Sequence, residues 1–195
     1  MDVEKCSLMS VKKVLSKVEA SRKELAEVCS QLIQRPSQHP EGSTVECVEY
    51  IEEYFRKLGI PAEVYTNNPA KPNIVARIKG TTNQRIMWLG HLDVVPEGKP
   101  ENWTYPPYSG TIKDGMVWGR GSTDMKGACA GAMVAAKVLH EIEEVSNNVD
   151  FWFTADEEIG GIDGARWLAE KKIFKAEVCI VGDGSQGGAA APTVD

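Results

Sequence analysis

The stretch Arg85-Ile86-Met87-Trp88-Leu89 runs directly into Gly90-His91-Leu92-Asp93. An almost wholly apolar run of this length suits a strand covered on both faces, as at the centre of a parallel sheet. Downstream, the chain alternates. Asp124 precedes a small-residue helix (Gly127, Ala128, Ala130, Gly131, Ala132, Ala135, Ala136) running to about Glu144, and Val149 to Thr154 is the next strand. Asp163 is expected to open a short helix through Trp167 and Leu168, and Glu177 to Val181 is a further strand. Strand, helix, strand, helix, strand in this order implies parallel strands joined by right-handed crossovers. The expected fold class is therefore α/β, a mostly parallel sheet flanked by helices.

Upstream of Arg85 the pattern changes. Val14, Leu15, Val18, Leu25, Val28, Cys29, Leu32 and Ile33 recur at helical spacing, so one amphipathic helix is expected from Val11 until Arg35-Pro36 closes it. A second helix is expected to begin at Ser43, which with Glu46 has the form of a capping box, and to end at Gly59. Its apolar stripe is Val45, Val48, Ile51, Phe55 and Leu58. Short β-rich runs follow at Ala62 to Thr66 and Asn73 to Lys79. Beyond the Pro- and aromatic-rich loop Val94 to Ser109, Thr111 to Trp118 reads as a hairpin turning at Asp114-Gly115, a pair suited to a type I′ turn.

Composition excludes several classes of function. With 42% hydrophobic and 26% charged residues in 195, the chain has the make-up of a globular domain with its own core. Its net charge of −6 and pI of about 5.2 argue against a nucleic-acid surface or a polybasic membrane patch. No apolar run approaches the roughly 18 residues that span a bilayer, and the N-terminus has no continuous apolar segment of the signal-peptide kind. Five widely spaced cysteines with no Cys-x-x-Cys pair point away from a disulfide framework or thiolate zinc site and towards a reducing, cytoplasmic compartment.

Ligands of open α/β sheets gather beyond the carboxyl ends of the parallel strands. By that rule His91 and Asp93, then Asp124, then Asp156-Glu157-Glu158, then Asp183 converge on one edge. Each alone has an ordinary explanation: a packed imidazole, a helix cap, an exposed acidic pair, a turn residue between glycines. Together they do not, because several carboxylates at one edge raise one another's pKa unless a cation sits among them. An imidazole and carboxylates suit Zn²⁺ or a similar divalent ion, and two ions sharing one carboxylate would neutralise more charge. Asp93, two residues from His91, can accept the imidazole N–H that the metal leaves free. Glu157 and Glu158 must point differently in an extended segment, so one can bind metal while the other serves as general base; the spacing leaves open which.

The run Gly90-His91-Leu92-Asp93-Val94-Val95-Pro96-Glu97-Gly98, then Trp103, Pro106-Pro107-Tyr108, Asp114-Gly115 and Trp118-Gly119-Arg120-Gly121-Ser122-Thr123-Asp124-Met125-Lys126-Gly127, resembles the signature of one metallopeptidase family. That family holds acetylornithine deacetylase, succinyl-diaminopimelate desuccinylase, aminoacylases and glutamate-releasing carboxypeptidases. Thr154-Ala155-Asp156-Glu157-Glu158-Ile159-Gly160-Gly161 resembles its next block, and the likeness spans about Pro36 to Asp183. It implies a zinc-exopeptidase-like catalytic domain with His91 on one metal and Asp124 bridging two. It further implies Glu158 on the second metal, Glu157 as the base that activates water, Asp93 as the partner of His91, and Asp183 on the first metal in a Gly-Asp-Gly-Ser context where the family has Glu-Pro.

The implied cofactor is zinc, with cobalt as the alternative ion, and the implied substrates are N-acyl amino acids or small peptides. The resemblance also implies a chain roughly twice as long, with a lid or dimerisation domain and a final metal-binding histidine in a returning segment. Here residues 1–183 correspond to the N-terminal part of the catalytic domain, 184–195 form a Gly/Ala-rich tail, the lid is absent, and a homodimer is an option for a full-length form. Of the other two histidines, His140 lies 16 residues beyond Asp124, about 24 Å along a helix, and His39 is in an N-terminal loop. The second metal site is therefore expected to be incomplete, and the chain marginally stable, self-associating and at best a weak hydrolase. The rival reading is a truncated, non-catalytic metal-binding or interaction domain of the same fold. A serine hydrolase is disfavoured, since no Gly-x-Ser-x-Gly elbow follows a predicted strand.

Overall fold

A computed structural model describes residues 3–142 and 145–183; the expected tail 184–195 and the expected helix end at Glu144 lie outside the described residues. The order of elements is α1 (Val3–Ala20), α2 (Arg22–Ile33), α3 (Val45–Leu58), β1 (Ala62–Tyr65), β2 (Asn73–Ile78), β3 (Arg85–His91), β4 (Thr111–Lys113), β5 (Met116–Trp118), α4 (Lys126–Ile142), β6 (Asn148–Thr154), α5 (Ala165–Glu170) and β7 (Val178–Val181). Among the described residues no helix is long and apolar enough to cross a membrane.

Among the described residues the α/β sheet has five strands in the order β1-β2-β6-β3-β7. The strand that opened the sequence reading is central among the parallel ones: β3 pairs in parallel with both β6 and β7. The other half is antiparallel, β2 to β6 and β1 to β2, so the sheet is mixed. Strand β2 is a near-continuous apolar run buried on both faces, a composition shared by buried strands of either direction.

Alternation along the strands divides the core in two. Ile74 and Ala76 of β2, Phe151 and Phe153 of β6 and Trp88 of β3 face α2, α3 and α4, where Leu32, Ile51, Phe55, Cys129 and Met133 are fully buried. The small residues of α4 let it lie close to the sheet, as the sequence suggested. The opposite face is thinner. There Val75, Met87 and Trp152 meet Leu168 and Trp167 of the short α5, together with Phe174.

Three local expectations are corrected. The single helix from Val11 is two helices, because the Ser21 hydroxyl bonds back to the Lys17 carbonyl at 2.8 Å and the chain breaks there. The Ser43–Glu46 capping box does not form. Thr44 is the N-cap, and both hydroxyls donate to the neighbouring loop, Ser43 to the Ala70 carbonyl and Thr44 to the Pro72 carbonyl, while Glu46 stays exposed. Asp163 does not cap α5 either. Its carboxylate accepts from the Asn67 and Asn68 side chains, and Gly164 takes the capping position. Two turns match the reading. Gly59 ends α3 at φ 70° with the Ile60 N–H returning to the Phe55 carbonyl, and Asp114-Gly115 adopt φ 53° and 73° between β4 and β5.

Candidate metal centre

Register brings the expected residues to one edge. His91 ends β3 opposite Thr154 of β6, and Leu89 lies opposite Val181 of β7, so residues 155–158 and 182–183 emerge beside His91. Asp124 arrives from the segment before α4, through a cis peptide to Met125. His91 is only 2% exposed, and its backbone is fixed on both sides. Its N–H donates to the Met125 sulfur at 3.2 Å, and its carbonyl accepts the Cys129 thiol at 3.2 Å. Gly90 before it leaves room for this packing, since a Cβ there would lie 2.4 Å from the Trp88 ring and 2.6 Å from the Met125 methyl.

The imidazole is oriented by Asp93, though not mainly through its carboxylate. Nδ1 lies 2.9 Å from the Asp93 backbone carbonyl, which can only accept, so Nδ1 carries a hydrogen. The Asp93 carboxylate stands 3.6 Å away and is engaged instead by the backbone N–H groups of Glu157 and Glu158, each at 3.1 Å. Asp93 thus ties the end of β3 to the acidic loop after β6. Burial raises its pKa, but the His91 ring and these two amides outweigh burial and lower it.

Nε2 of His91 points into the acidic edge, 3.0 Å from Asp124 Oδ1 and 3.7 Å from Glu157 Oε2. Burial disfavours an imidazolium here, yet the Asp93 and Glu157 carboxylates prevail, and the pKa is raised to about 9. His91, Asp124 and Asp183 each offer a donor atom within 4.8 Å of the others. These are the three residues expected on the first metal. Glu158 lies outside that triplet, and one of its oxygens, Oε1, is buried with no hydrogen-bond partner. Burial first, and then the charge of Asp124, push its pKa up. The extended segment expected for the Glu157–Glu158 pair is a 3₁₀ turn, Glu157–Ile159, but the two side chains do diverge, with Glu157 exposed and Glu158 partly buried.

These residues fit a divalent cation. One imidazole nitrogen and several carboxylates form a donor set suited to such ions, and an orphaned buried carboxylate oxygen is a group such an ion satisfies. The neighbouring lysines do not supply the charge. Lys71 is ion-paired with Asp156, and the fully buried Lys126 donates to the Leu32 and Arg35 carbonyls at 3.0 and 2.6 Å, at the C-terminal end of α2.

The sequence reading missed both lysines. It also gave no role to Asp156, buried at φ 67°, whose carboxylate takes Lys71 and the Asp163 N–H and so shapes the loop carrying Glu157. Asn73 braces the same loop, accepting the Ala155 N–H at 2.9 Å and donating to the Asp163 carbonyl at 2.9 Å. The adjacency of Asp156 to Glu157, and the place of Lys126 two residues after Asp124, were the available signal.

Comparison with known proteins places the chain in a family. The model of peptidase family M20/M25/M40 matches residues 87–194. Succinyl-diaminopimelate desuccinylase of Blochmanniella floridana is 36% identical over 169 residues, covering 83% of this chain and 43% of that protein. N-formyl-4-amino-5-aminomethyl-2-methylpyrimidine deformylase of Halalkalibacterium halodurans is 31% identical over 183 residues, 91% of this chain and 42% of that one. The chain therefore spans well under half the length of these curated relatives. Among solved structures, an M20 family metallo-carboxypeptidase from Sulfolobus solfataricus superposes with a TM-score of 0.70 at 24% identity, covering 82% of this chain and 37% of that one. Human carnosine dipeptidase 1 does so with a TM-score of 0.69 at 20% identity, covering 87% and 40%.

Proposed function

The chain belongs to peptidase family M20/M25/M40, and on that premise we propose that residues 1–183 are the N-terminal part of the catalytic domain of a metal-dependent amidohydrolase, with 184–195 a Gly/Ala-rich tail. Its substrates are N-acyl amino acids or small peptides. Relatives named as a desuccinylase and a deformylase support this reading, as do structural neighbours named as a carboxypeptidase and a dipeptidase. The observation that carries it is the convergence of His91, Asp124 and Asp183 within 4.8 Å.

In this reading His91 and Asp183 would hold the first ion, zinc or alternatively cobalt, Asp124 would serve both ions, and Glu158 would serve the second. A divalent cation there supplies polarisation of the scissile carbonyl and acidification of water. The chain's own residues do the rest. The Asp93 carbonyl holds the Nδ1 hydrogen, leaving the Nε2 lone pair for the ion. The Asp93 carboxylate pins Glu157 and Glu158 by their amides. Glu157, with its side chain 51% exposed, takes the proton from water and returns it to the departing amine. Five widely spaced cysteines without a Cys-x-x-Cys pair are in keeping with a cytoplasmic location, and a longer form would be able to pair as a homodimer.

Replacing Glu157 by Gln tests the assignment. We expect hydrolysis of an N-succinyl amino acid by the zinc-loaded chain to fall by about 10²–10⁴-fold with bound zinc unchanged, because a proton carrier is lost and a ligand is not. Loss of zinc in E157Q would exchange the roles of Glu157 and Glu158. The second reading, a metal-binding module without turnover, is favoured by the remoteness of the other two histidines, with His140 in the last turn of α4 and His39 before α3. It predicts full zinc binding and no hydrolysis even in the unmodified chain.

A further inference from the structure

The turn that carries Glu157 and Glu158 is gripped from a distant part of the chain. The connection between β1 and β2, with Asn73 at the start of β2, reaches it with four side chains. Lys71 pairs with the carboxylate of Asp156, the residue just before Glu157, and water is largely kept out, the two side chains being 14% and 2% exposed. Asn67 and Asn68 donate to the Asp163 carboxylate at 2.8 and 3.1 Å. Asn73 accepts the Ala155 N–H and donates to the Asp163 carbonyl, both at 2.9 Å, and so holds the turn at both ends. Within the turn, the Asp163 N–H donates to the Asp156 carboxylate at 3.1 Å and the Gly161 N–H to the Asp156 carbonyl at 2.6 Å. The connection is itself seated on the start of α3, where the Ser43 and Thr44 hydroxyls donate to the Ala70 and Pro72 carbonyls.

Asp156 is the point on which this hold bears. It stands at φ 67°, a left-handed conformation that a residue with a side chain keeps only where its surroundings enforce it. Its carboxylate is what the surroundings grip, and Glu157 and Glu158 follow it directly, so a change of backbone angle at Asp156 swings both glutamates together. A buried ion pair returns little net stability over apolar residues of the same volume, which leaves geometry as what the Lys71–Asp156 pair supplies. We propose that Lys71 is a positioning residue for Glu157 and Glu158: by tying the Asp156 turn to the β1–β2 connection it aims Glu158 at the second ion and Glu157 at water. The aims rest on the amidohydrolase reading; the mechanical hold does not.

The test reads amide hydrogen exchange and zinc affinity in the 195-residue chain and its variants. In metal-free K71M the Glu157 and Glu158 amides should exchange at least about tenfold faster, while those of Leu92 and Ile60, bonded to the Thr154 and Phe55 carbonyls, keep their rates. K71R should recover most of the protection. In zinc titration the weaker, second equivalent should lose about tenfold in affinity on E158A in the unmodified chain and less than about threefold in K71M, because Lys71 acts through Glu158. Unchanged exchange at Glu157 and Glu158 in K71M overturns the inference, as does equal acceleration at all four amides, which would mean a general loss of stability. Additive losses of zinc affinity overturn it too. If K71M fails to fold, N67A/N68A, which frees the same connection from Asp163, decides by the same readings. A second zinc equivalent that is missing from the unmodified chain, or indifferent to E158A, refutes only the metal role of Glu158, and the exchange rates then decide the positioning alone.

Discussion

His91 and Asp183 offer donor atoms to the same point but hang from strands of opposite character. Strand β3 is paired on both edges, and His91 at its end is 2% exposed and tied by three hydrogen bonds to Met125, Cys129 and Asp93. Among the described residues strand β7 pairs only with β3, and its four residues are all exposed, with Val178 at 53%, Ile180 at 53% and Val181 at 60%. One half of the candidate metal centre is thus held rigidly by the core and the other half by an edge. A ligand on an unsupported edge gives up more entropy on binding metal, so His91 sets the site and Asp183 closes it. The open apolar edge is also where self-association is expected, because unpaired strand groups and exposed Val and Ile side chains invite a partner.

Paired substitutions in the two regions would break or sharpen that contrast. The largest expected effect is in the supported half. Phe153 is fully buried, with ring centroids 6.1 Å from Phe55 and 5.5 Å from Trp88, so Phe153→Ala should cost about 3–5 kcal/mol in urea unfolding. Ile180→Lys on β7 should change stability by no more than about 0.5 kcal/mol while reducing self-association in sedimentation, because a charged edge resists pairing. Equal losses at the two positions would mean that β7 is as well supported as β6.

A smaller effect concerns pH. In the metal-free chain the His91 pKa of about 9 stands above its ordinary 6.5, so the stability it contributes is fully present below pH 6.5 and is lost as pH rises through 9. Urea unfolding should therefore show a decline across that window that is missing from His91→Gln. A flat profile in the unmodified chain would show that the carboxylates do not hold the imidazolium.

The parts of this molecule that were legible in the sequence are those where local pattern and tertiary role coincide. The run Arg85–Leu89 forms the strand expected at the centre of the parallel pairs, although of its five residues only Met87 is buried and the expected cover on both faces is incomplete, and its carboxyl end marked His91 as a candidate site residue. Gly59 and Asp114-Gly115 announced their turns because few other residues accept those angles. What could not be read depends on partners far along the chain. The antiparallel pairing of β2 with β6 leaves no local trace, and the Ser43 and Thr44 hydroxyls were drawn off to the Ala70 and Pro72 carbonyls by a loop 27 or 28 residues away. The Lys71–Asp156 pair joins residues 85 apart, and the burial of Lys126 depends on the end of α2 arriving above it. The likeness to the family marked Asp93 as the partner of His91, but only the geometry shows its carbonyl holding the ring and its carboxylate holding the amides of Glu157 and Glu158.

The central claim is that this edge forms a divalent metal site anchored on His91, and zinc titration of three chains tests it most directly. The unmodified chain should bind zinc, His91→Ala should lose more than about 100-fold in affinity, and Asp183→Ala should lose about tenfold, the scale of a supporting contact. Zinc binding absent from the unmodified chain, or unchanged by His91→Ala, would contradict it.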